Sequence, residues 1–449
     1  MSSELLAPLD LAFWHLETTD HPMHLGALAH FGPADGDRVP GDEALLQLLT
    51  RRAAAIPRLR MRVRDVLLPV GGAAWRADPG FDVRRHVHRI ALPGTDFCAE
   101  TARLAGELME RPLERGRPPW EMYLLTGGPD GAFAVLVKLH HALADGMRAV
   151  AIGAGIFDEI AAARTMRTAA GRRPRAVPPR SWMPGPAQLA GAALSRIEEL
   201  GRAVGVGASV VRASRLDPRG TPALAAASSG TRAVATAVLD LERVHSVRRV
   251  SGGTANDVLL ATVAGALRRW LTDRGEPLPA ADPRALVPVS RRRPGAPPDS
   301  GNRLSAYLLP LPVTEPDARA RLTAVRTAMD RNKAAGPLRG AGAVAVLADQ
   351  LPPLAHRFGA PLASGAARML FDLLVTNVPL PRSALSLAGA PLRALFPMAP
   401  LARGQALAVA MSPYAGQVHI GLVADGKAVP DLDALAAGLA AELDALAGG

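Results

Sequence analysis

The chain has 449 residues, too many for one ordinary domain. Its 49% hydrophobic content excludes global disorder and allows large cores, built mainly from Leu, Val and Ala because aromatics make up only 4%. A single cysteine, Cys98, excludes an intrachain disulfide framework and a cysteine-based metal centre, and fits a reducing cytoplasm; as a residue it reads as a half-buried apolar filler. The net charge of +11 favours an anionic partner such as nucleic acid, a membrane surface or a polyphosphate ligand, without choosing among them.

In chain order, Met1 to Asp10 shows no basic region followed by an apolar core, so no signal peptide is expected. No stretch reaches the ~20 uninterrupted apolar residues of a membrane helix, which predicts a soluble or peripheral, cytoplasmic protein, with attachment at the inner membrane or at lipid inclusions left open. Leu25–Phe31 reads as a strand, Glu43–Ala55 as a helix with Leu45, Leu46, Leu48 and Leu49 at helical spacing, and Asp96–Glu110 as a helix that must stop before Pro112. His86 and His88 read as solvated residues on one strand face. Phe133–Leu139 is a compact apolar strand, and Gly146–Ala163 a helix after it. These make a first α/β unit over 1–163. From 164 to 230 the chain is basic and Pro-rich, with Arg164, Arg167, Arg172, Arg173, Arg175 and Arg180 among prolines and small residues. That composition reads as a linker, with a candidate amphipathic helix over Gln188–Ala213. A second α/β unit spans 231–449. Its expected strands are Ala233–Leu239, Ala285–Val289, Leu304–Leu311, Phe371–Thr376, Ala406–Ser412 and Val418–Val423. Its expected helices are Thr254–Arg269 with Thr254 as N-cap, a helix-rich stretch over Asp317–Leu354, and Leu432–Ala447.

The densest chemistry lies in Lys138-Leu139-His140-His141-Ala142-Leu143-Ala144-Asp145-Gly146. A strand delivers two histidines to its end, and a loop then brings an aspartate and a glycine. A titratable group at a strand end is a common way to build a site in an open α/β sheet. Histidine suits general-base work because its pKa lies near neutrality, and its base form can take the proton of an alcohol. Spacing alone leaves three readings open: a structural histidine pair, a His-His-Asp metal site, and a catalytic base.

The chain resembles the bacterial wax ester synthase/diacylglycerol acyltransferase family, within the superfamily of chloramphenicol acetyltransferases and peptide-synthetase condensation domains. The His-His-x-x-x-Asp-Gly motif matches His140, His141, Asp145 and Gly146. Pro-Met-His-x-Gly matches Pro22, Met23, His24, Leu25 and Gly26, and the Arg-Pro-Leu-Trp motif stands here as Arg117, Pro118, Pro119 and Trp120. Further on, the Asn-Asp pair opening a helix matches Asn256 and Asp257. Pro288, Val289, Ser290 and Arg292 match Pro-Val-Ser-x-Arg; Gly301, Asn302 and Ser305 match Gly-Asn-x-x-Ser; and Thr376, Asn377, Val378 and Pro379 match Thr-Asn-Val-Pro. The likeness covers nearly the whole chain and is weakest between Arg164 and Gly220. Pro119, Leu380 and Pro413 depart from the family pattern and bear on the shape of the acyl tunnel.

The resemblance implies an α/β architecture of two chloramphenicol-acetyltransferase-like domains facing each other across a substrate tunnel. It implies O-acyl transfer from acyl-CoA to a long-chain alcohol or diacylglycerol. His141 would be the general base, His140 a supporting residue, and Asp145 a structural carboxylate paired with arginine, Arg292 being the candidate. Gly146 allows close backbone approach. His24, Asn256, Ser290, Asn302 and Asn377 are candidates for substrate binding or structural support, and His24 for the channel wall. The chemistry needs no metal or other cofactor, and acyl-CoA enters as a substrate. Two alternatives remain on sequence grounds: the same chemistry on a specialised metabolite, and a non-catalytic lipid-surface-binding protein of the same fold. The intact histidine motif speaks against the second. No Gly-x-Ser-x-Gly elbow, P-loop, dinucleotide fingerprint or nucleic-acid-binding motif is present. His21, His24 and His30 lack the ordered companion ligands of a metal site.

Overall fold

Among the described residues, apolar alternation and apolar runs give two six-stranded sheets and one small three-stranded sheet. The computed structural model describes residues 4–33, 41–143, 152–160, 221–290, 304–335, 353–358, 369–381 and 383–448. The helix expected over 146–163 lies within these ranges only in part, and the helix over 188–213 lies outside them.

The first part of the chain runs through β1 (Glu4–Leu5), α1 (Pro8–Leu16), β2 (His24–Phe31), α2 (Asp42–Ala54), β3 (Met61–Asp65), β4 (Ala73–Ala77), β5 (Val87–Ala91), α3 (Phe97–Glu110), β6 (Trp120–Thr126) and β7 (Phe133–His140). The second part holds β8 (Arg232–Asp240), α4 (Leu241–Ser251), α5 (Ala255–Asp273), β9 (Arg284–Ser290), β10 (Leu304–Pro310), α6 (Ala318–Ala335), β11 (Leu373–Asn377), β12 (Ser386–Leu387), β13 (Ala390–Met398), β14 (Leu407–Tyr414), β15 (Gln417–Asp425) and α7 (Leu432–Gly448). Strands expected from the sequence recur within two residues of their observed ends. Asp96 caps α3 by accepting the Ala99 N–H. Thr254 caps α5 in a reciprocal box with Asp257.

The first sheet has the order β12-β13-β2-β7-β6-β5, and the second β10-β9-β11-β14-β15-β8. All eight residues of β7 are buried, because it lies mid-sheet with both faces covered; this is why it reads as a continuous apolar run. The sheets do not follow the chain. Strands β12 and β13 come from the segment expected to form the second unit, yet they complete the first sheet, where β13 pairs with β2. Two prolines, Pro391 and Pro397, mask β13 as a strand in the sequence, and a register shift between Leu392 and Ala394 relieves the ladder. The linker reading also ends too late. Leu224 and Ala226 already pack in the second core, and Thr221 N–H binds the Asp372 carboxylate.

Among the described residues three apolar cores result. One lies under α2 in the first half, one surrounds α5 and α7 in the second, and a third is shared. The shared core sets Leu104, Leu108 and Met109 of α3 among Leu28 of β2, Leu136 of β7, Val234 of β8, Met398 of β13 and Ala410 of β14. It needs two close approaches. A Cβ on Gly106 of α3 would sit 2.6 Å from the Arg232 carbonyl oxygen of β8, and a Cβ on Gly421 of β15 would collide with the Pro397 carbonyl oxygen of β13. Neither obstacle is a flexible side-chain tip, so neither can swing aside. Gly421→Ala is expected to destabilise the protein by about 1–3 kcal/mol, the range for overpacking. Urea unfolding of the variant beside wild type measures this.

Candidate active site

Strand β7 ends on His140, which pairs across the ladder with His24 of β2. The following turn is held by backbone bonds. His140 N–H donates to Pro119 O at 3.0 Å, His141 N–H to Met23 O at 2.7 Å, and Leu143 N–H to His140 O at 2.8 Å. Met23 and Pro119 belong to two of the motifs read in the sequence, so those segments serve as backbone supports of the histidine turn. Ala142 N–H donates to His140 Nδ1 at 3.0 Å. This bond assigns Nδ1 as the unprotonated nitrogen and leaves the ring hydrogen on Nε2, which faces Glu17 Oε1 at 3.4 Å.

Glu17 follows α1 directly, and the short helix lies over the histidine pair. Phe13 stacks on His141 with ring centroids 3.8 Å apart and planes 23° from parallel, and Trp14 meets His140 edge-on at 5.0 Å. Arg115 completes the group. Its guanidinium lies 4.4 Å from the Trp14 ring centroid and donates to Glu17 Oε2 and to Trp14 O, both at 3.0 Å. The Glu17 side chain is only 5% exposed. Burial alone would push its carboxyl up. The facing His140 ring, the Arg115 guanidinium and the Met23 N–H reverse this and bring it down to about 2. Sequence reading missed Phe13, Trp14, Glu17 and Arg115. The one local signal was Pro8, suited to the first position of a helix, ahead of an aromatic-rich turn.

Behind the turn, His24 is 2% exposed and its Nε2 donates to Met109 O at 2.7 Å. Burial and the nearby Lys138 charge hold its imidazole well below the usual range, so it is neutral. Lys138, fully buried in β7, donates to Leu108 O at 2.9 Å and to Arg111 O, with Glu121 Oε2 at 3.4 Å. Both side chains serve the end of α3, so the structural support expected of His24 is given to the Met109 carbonyl.

On the second sheet, Asn377 ends β11 and its Nδ2 lies 3.5 Å from Oδ1 of Asn256, in the first turn of α5. Ser290 ends β9, paired with Leu304. Asp145, Gly146, Arg292 and Asn302 lie outside the described residues. The structure thus gathers His140, His141 and Glu17 at the end of β7 in the first sheet, and brings Asn256 of α5 to Asn377 at the end of β11 in the second. Other histidines go elsewhere. His30 binds the Thr101 hydroxyl at 3.1 Å, and burial lowers it to about 4. His86, expected at the surface, is buried and stacked on Trp120 at 4.7 Å. Cys98, expected half-buried, is exposed.

Residues 6–259 match the model of the wax ester synthase/diacylglycerol acyltransferase catalytic domain, and residues 300–447 match that of the family's C-terminal domain. The chain belongs to the wax ester synthase/diacylglycerol acyltransferase family. It is 34% identical over 447 residues to a putative diacylglycerol O-acyltransferase of Mycobacterium bovis, covering 97% of this chain and 94% of that one. It is 31% identical to a probable diacylglycerol O-acyltransferase of Mycobacterium tuberculosis, covering 98% of each. The structure of the wax ester synthase/diacylglycerol acyltransferase from Marinobacter aquaeolei superposes with a TM-score of 0.70 at 26% identity, covering 99% of this chain and all of that one. The first condensation domain of the CDA synthetase shares the fold, with a TM-score of 0.59 at 19% identity over 99% of this chain and 96% of that one. The chain is an acyltransferase enzyme of this α/β fold.

In this acyltransferase, Glu17 is ionised when folded at a pH where it would be protonated when unfolded. Its contribution to stability is complete above the unfolded value near 4.5 and is lost as pH falls through about 2. Wild type is therefore expected to exceed Glu17→Gln in stability at pH 6, with the gap closing between pH 4.5 and 2. Denaturation midpoints of both proteins across that range measure it; a gap independent of pH would remove the carboxylate's charge from the account.

Proposed function

We propose that the chain transfers a fatty acyl group from acyl-CoA to the hydroxyl of a long-chain alcohol or diacylglycerol, giving a wax ester or triacylglycerol, with His141 as general base. The observation that carries the reading is the placement of His141. It leaves the end of a fully buried strand, held by a backbone bond to Met23 and by the Phe13 ring stacked on its face. Its ring plane is set before substrate arrives, which is what positioned base catalysis requires. The names of the mycobacterial relatives favour diacylglycerol as acceptor, and that of the Marinobacter protein also includes wax ester synthesis.

The imidazole takes the hydroxyl proton as the alcohol oxygen attacks the thioester carbonyl carbon. The tetrahedral intermediate collapses, the carbon–sulfur bond breaks, and the imidazolium returns the proton to the CoA thiolate. Products are an ester and free CoA–SH. This chemistry balances without a metal or redox cofactor. Base catalysis contributes on the order of 10²–10⁴-fold and each oxyanion donor on the order of 10²–10³. The remainder comes from holding both substrates together across the tunnel between the two sheets. Asn256, Asn377, Ser290 and Asn302 are proposed to shape the second-sheet side of that tunnel, and the excess positive charge to meet CoA phosphates and an anionic lipid surface.

His141→Ala should lower turnover at least about a hundredfold with its melting temperature retained, while His140→Ala should lose less. Thiol release from a long-chain acyl-CoA with diacylglycerol or hexadecanol reports both, and undiminished release by His141→Ala would remove the base assignment. Asp145 is proposed to hold Gly146 and its loop through Arg292. Asp145→Asn and Arg292→Met should each lower the melting temperature, and the double variant should lose less than the sum. Additive losses in that four-variant cycle would dissolve the pair.

A further inference from the structure

The hairpin formed by β3 and β4 ends in a loop that a water-facing turn would not choose: Val66, Leu67, Leu68, Pro69 and Val70. Leu67 is 93% exposed, with Leu68 at 59% and Val70 at 58%. The loop is held in shape, since Val66 N–H donates to Gly72 O at 3.0 Å and Gly72 N–H to Pro69 O at 2.8 Å. Its base is anchored by buried Val63 and Trp75. A distant helical turn, 353–358, packs beside it: Gly71 lies against the Leu354 backbone, and Arg357 pairs with Asp65 at 3.7 Å. That turn adds exposed Leu354 and Phe358. Five exposed large apolar side chains from two remote segments are thus brought together, more than the scattered single apolar residues of an ordinary surface.

Charge supports one kind of partner. Between Pro57 and Asp78 the hairpin carries five arginines (Arg58, Arg60, Arg62, Arg64 and Arg76) against two aspartates. Both aspartates are already paired, Asp65 with Arg357 and Asp78 with Arg62. Arg64 and Arg76 are exposed. The patch is also joined to the active site. His15 of α1 binds Gly71 O at 3.3 Å. Phe13, two residues earlier and about 3 Å along the helix axis, stacks on His141.

We infer that this arginine-flanked apolar tip docks the enzyme on an anionic lipid surface, inserting Leu67, Leu68 and Phe358 beside the entry to the His141 site. A hairpin tip and one helical turn with five exposed apolar side chains are too small for a stable protein interface, which needs roughly 800 Å² per partner. It suits shallow insertion into acyl chains, with guanidinium groups at headgroup level. The inference rests on the reading that the acceptor is a lipid alcohol.

The test uses the full chain and vesicles of phosphatidylcholine, with or without one quarter phosphatidylglycerol, each containing a few per cent diacylglycerol. Cosedimentation should favour the anionic vesicles. Leu67→Ser/Leu68→Ser should cut partitioning at least about tenfold, and Phe358→Ser should weaken it from the other segment. Val250→Ser, an equally exposed apolar site on α4, should change nothing. Arg64→Glu/Arg76→Glu should remove the preference for phosphatidylglycerol. Thiol release with diacylglycerol in vesicles should fall in the Leu67/Leu68 variant, while release with a water-dispersed short-chain alcohol should stay at the wild-type level. Wild-type partitioning by that variant would overturn the docking role, and so would a wild-type dimer in sedimentation velocity that the same change dissociates. If no alcohol is acylated although vesicle binding follows the tip, the proposed reaction falls and the docking surface stands. Undiminished vesicle-bound turnover in the variant gives the reverse.

Discussion

Three carbonyl groups at the end of one helix organise much of this enzyme. The last turn of α3 leaves the carbonyls of buried Leu108 and Met109 without intrahelical partners, and the carbonyl of Arg111, its C-cap, follows them. Lys138 from β7 binds the first and third, and His24 from β2 binds the second. An unsatisfied buried acceptor costs about 1–3 kcal/mol, so the helix end and the two strands specify one another's position. One of those strands ends on His140, with His141 next in the chain, and the other begins directly after Met23, which supports the turn. Glu110, the last residue of α3, accepts the Arg232 N–H of β8 at 2.9 Å. The same helix end thus fixes the second sheet against the first.

The histidine turn inherits its order from that anchor and receives a second restraint from α1. His140 accepts the Ala142 N–H on Nδ1, and its Nε2 faces the Glu17 carboxylate at 3.4 Å. The ionised Glu17 is stabilised by Arg115, and Arg115 is held in turn by the Trp14 ring. A carboxylate that is only 5% exposed is tolerable only with such pairing. The cost of burying this group is offset by the positions it imposes on Phe13 above His141 and on the His140 ring beside it. The same short helix reaches the hairpin loop through His15, so the histidine pair and the exposed apolar loop are connected by one element.

The two sheets are bound by exchange as much as by contact. β13 leaves the second half of the chain to pair with β2, crossing Gly421 at backbone distance, and α3 leaves the first half to pack on β8 at Gly106. Each half contributes an element to the other's core, which resists separation of the halves more firmly than two closed domains meeting at polar faces.

Local periodicity was enough to place α2, α3, α5 and α7, and the strands β2, β7, β8, β14 and β15, because each buries a regular stripe or face whose period is written in neighbouring residues. The family and its acyltransferase activity were also legible, since the motifs around His24, His141, Asn256 and Asn377 keep their order and composition. Local pattern could not reveal partners contributed from a distance. Glu17 and Arg115 are 98 residues apart and meet only once α1 folds over β7. Nothing beside Lys138 in the sequence shows the α3 carbonyls that make its buried ammonium tolerable. β13 was hidden by two prolines that argue against a strand on local grounds, and its place in the first sheet follows from ladder partners more than 350 residues earlier. Composition and spacing determined which elements form and which chemistry they carry; the tertiary structure decided which elements meet, because burial of charge and satisfaction of helix ends are paid between segments that sequence distance keeps apart.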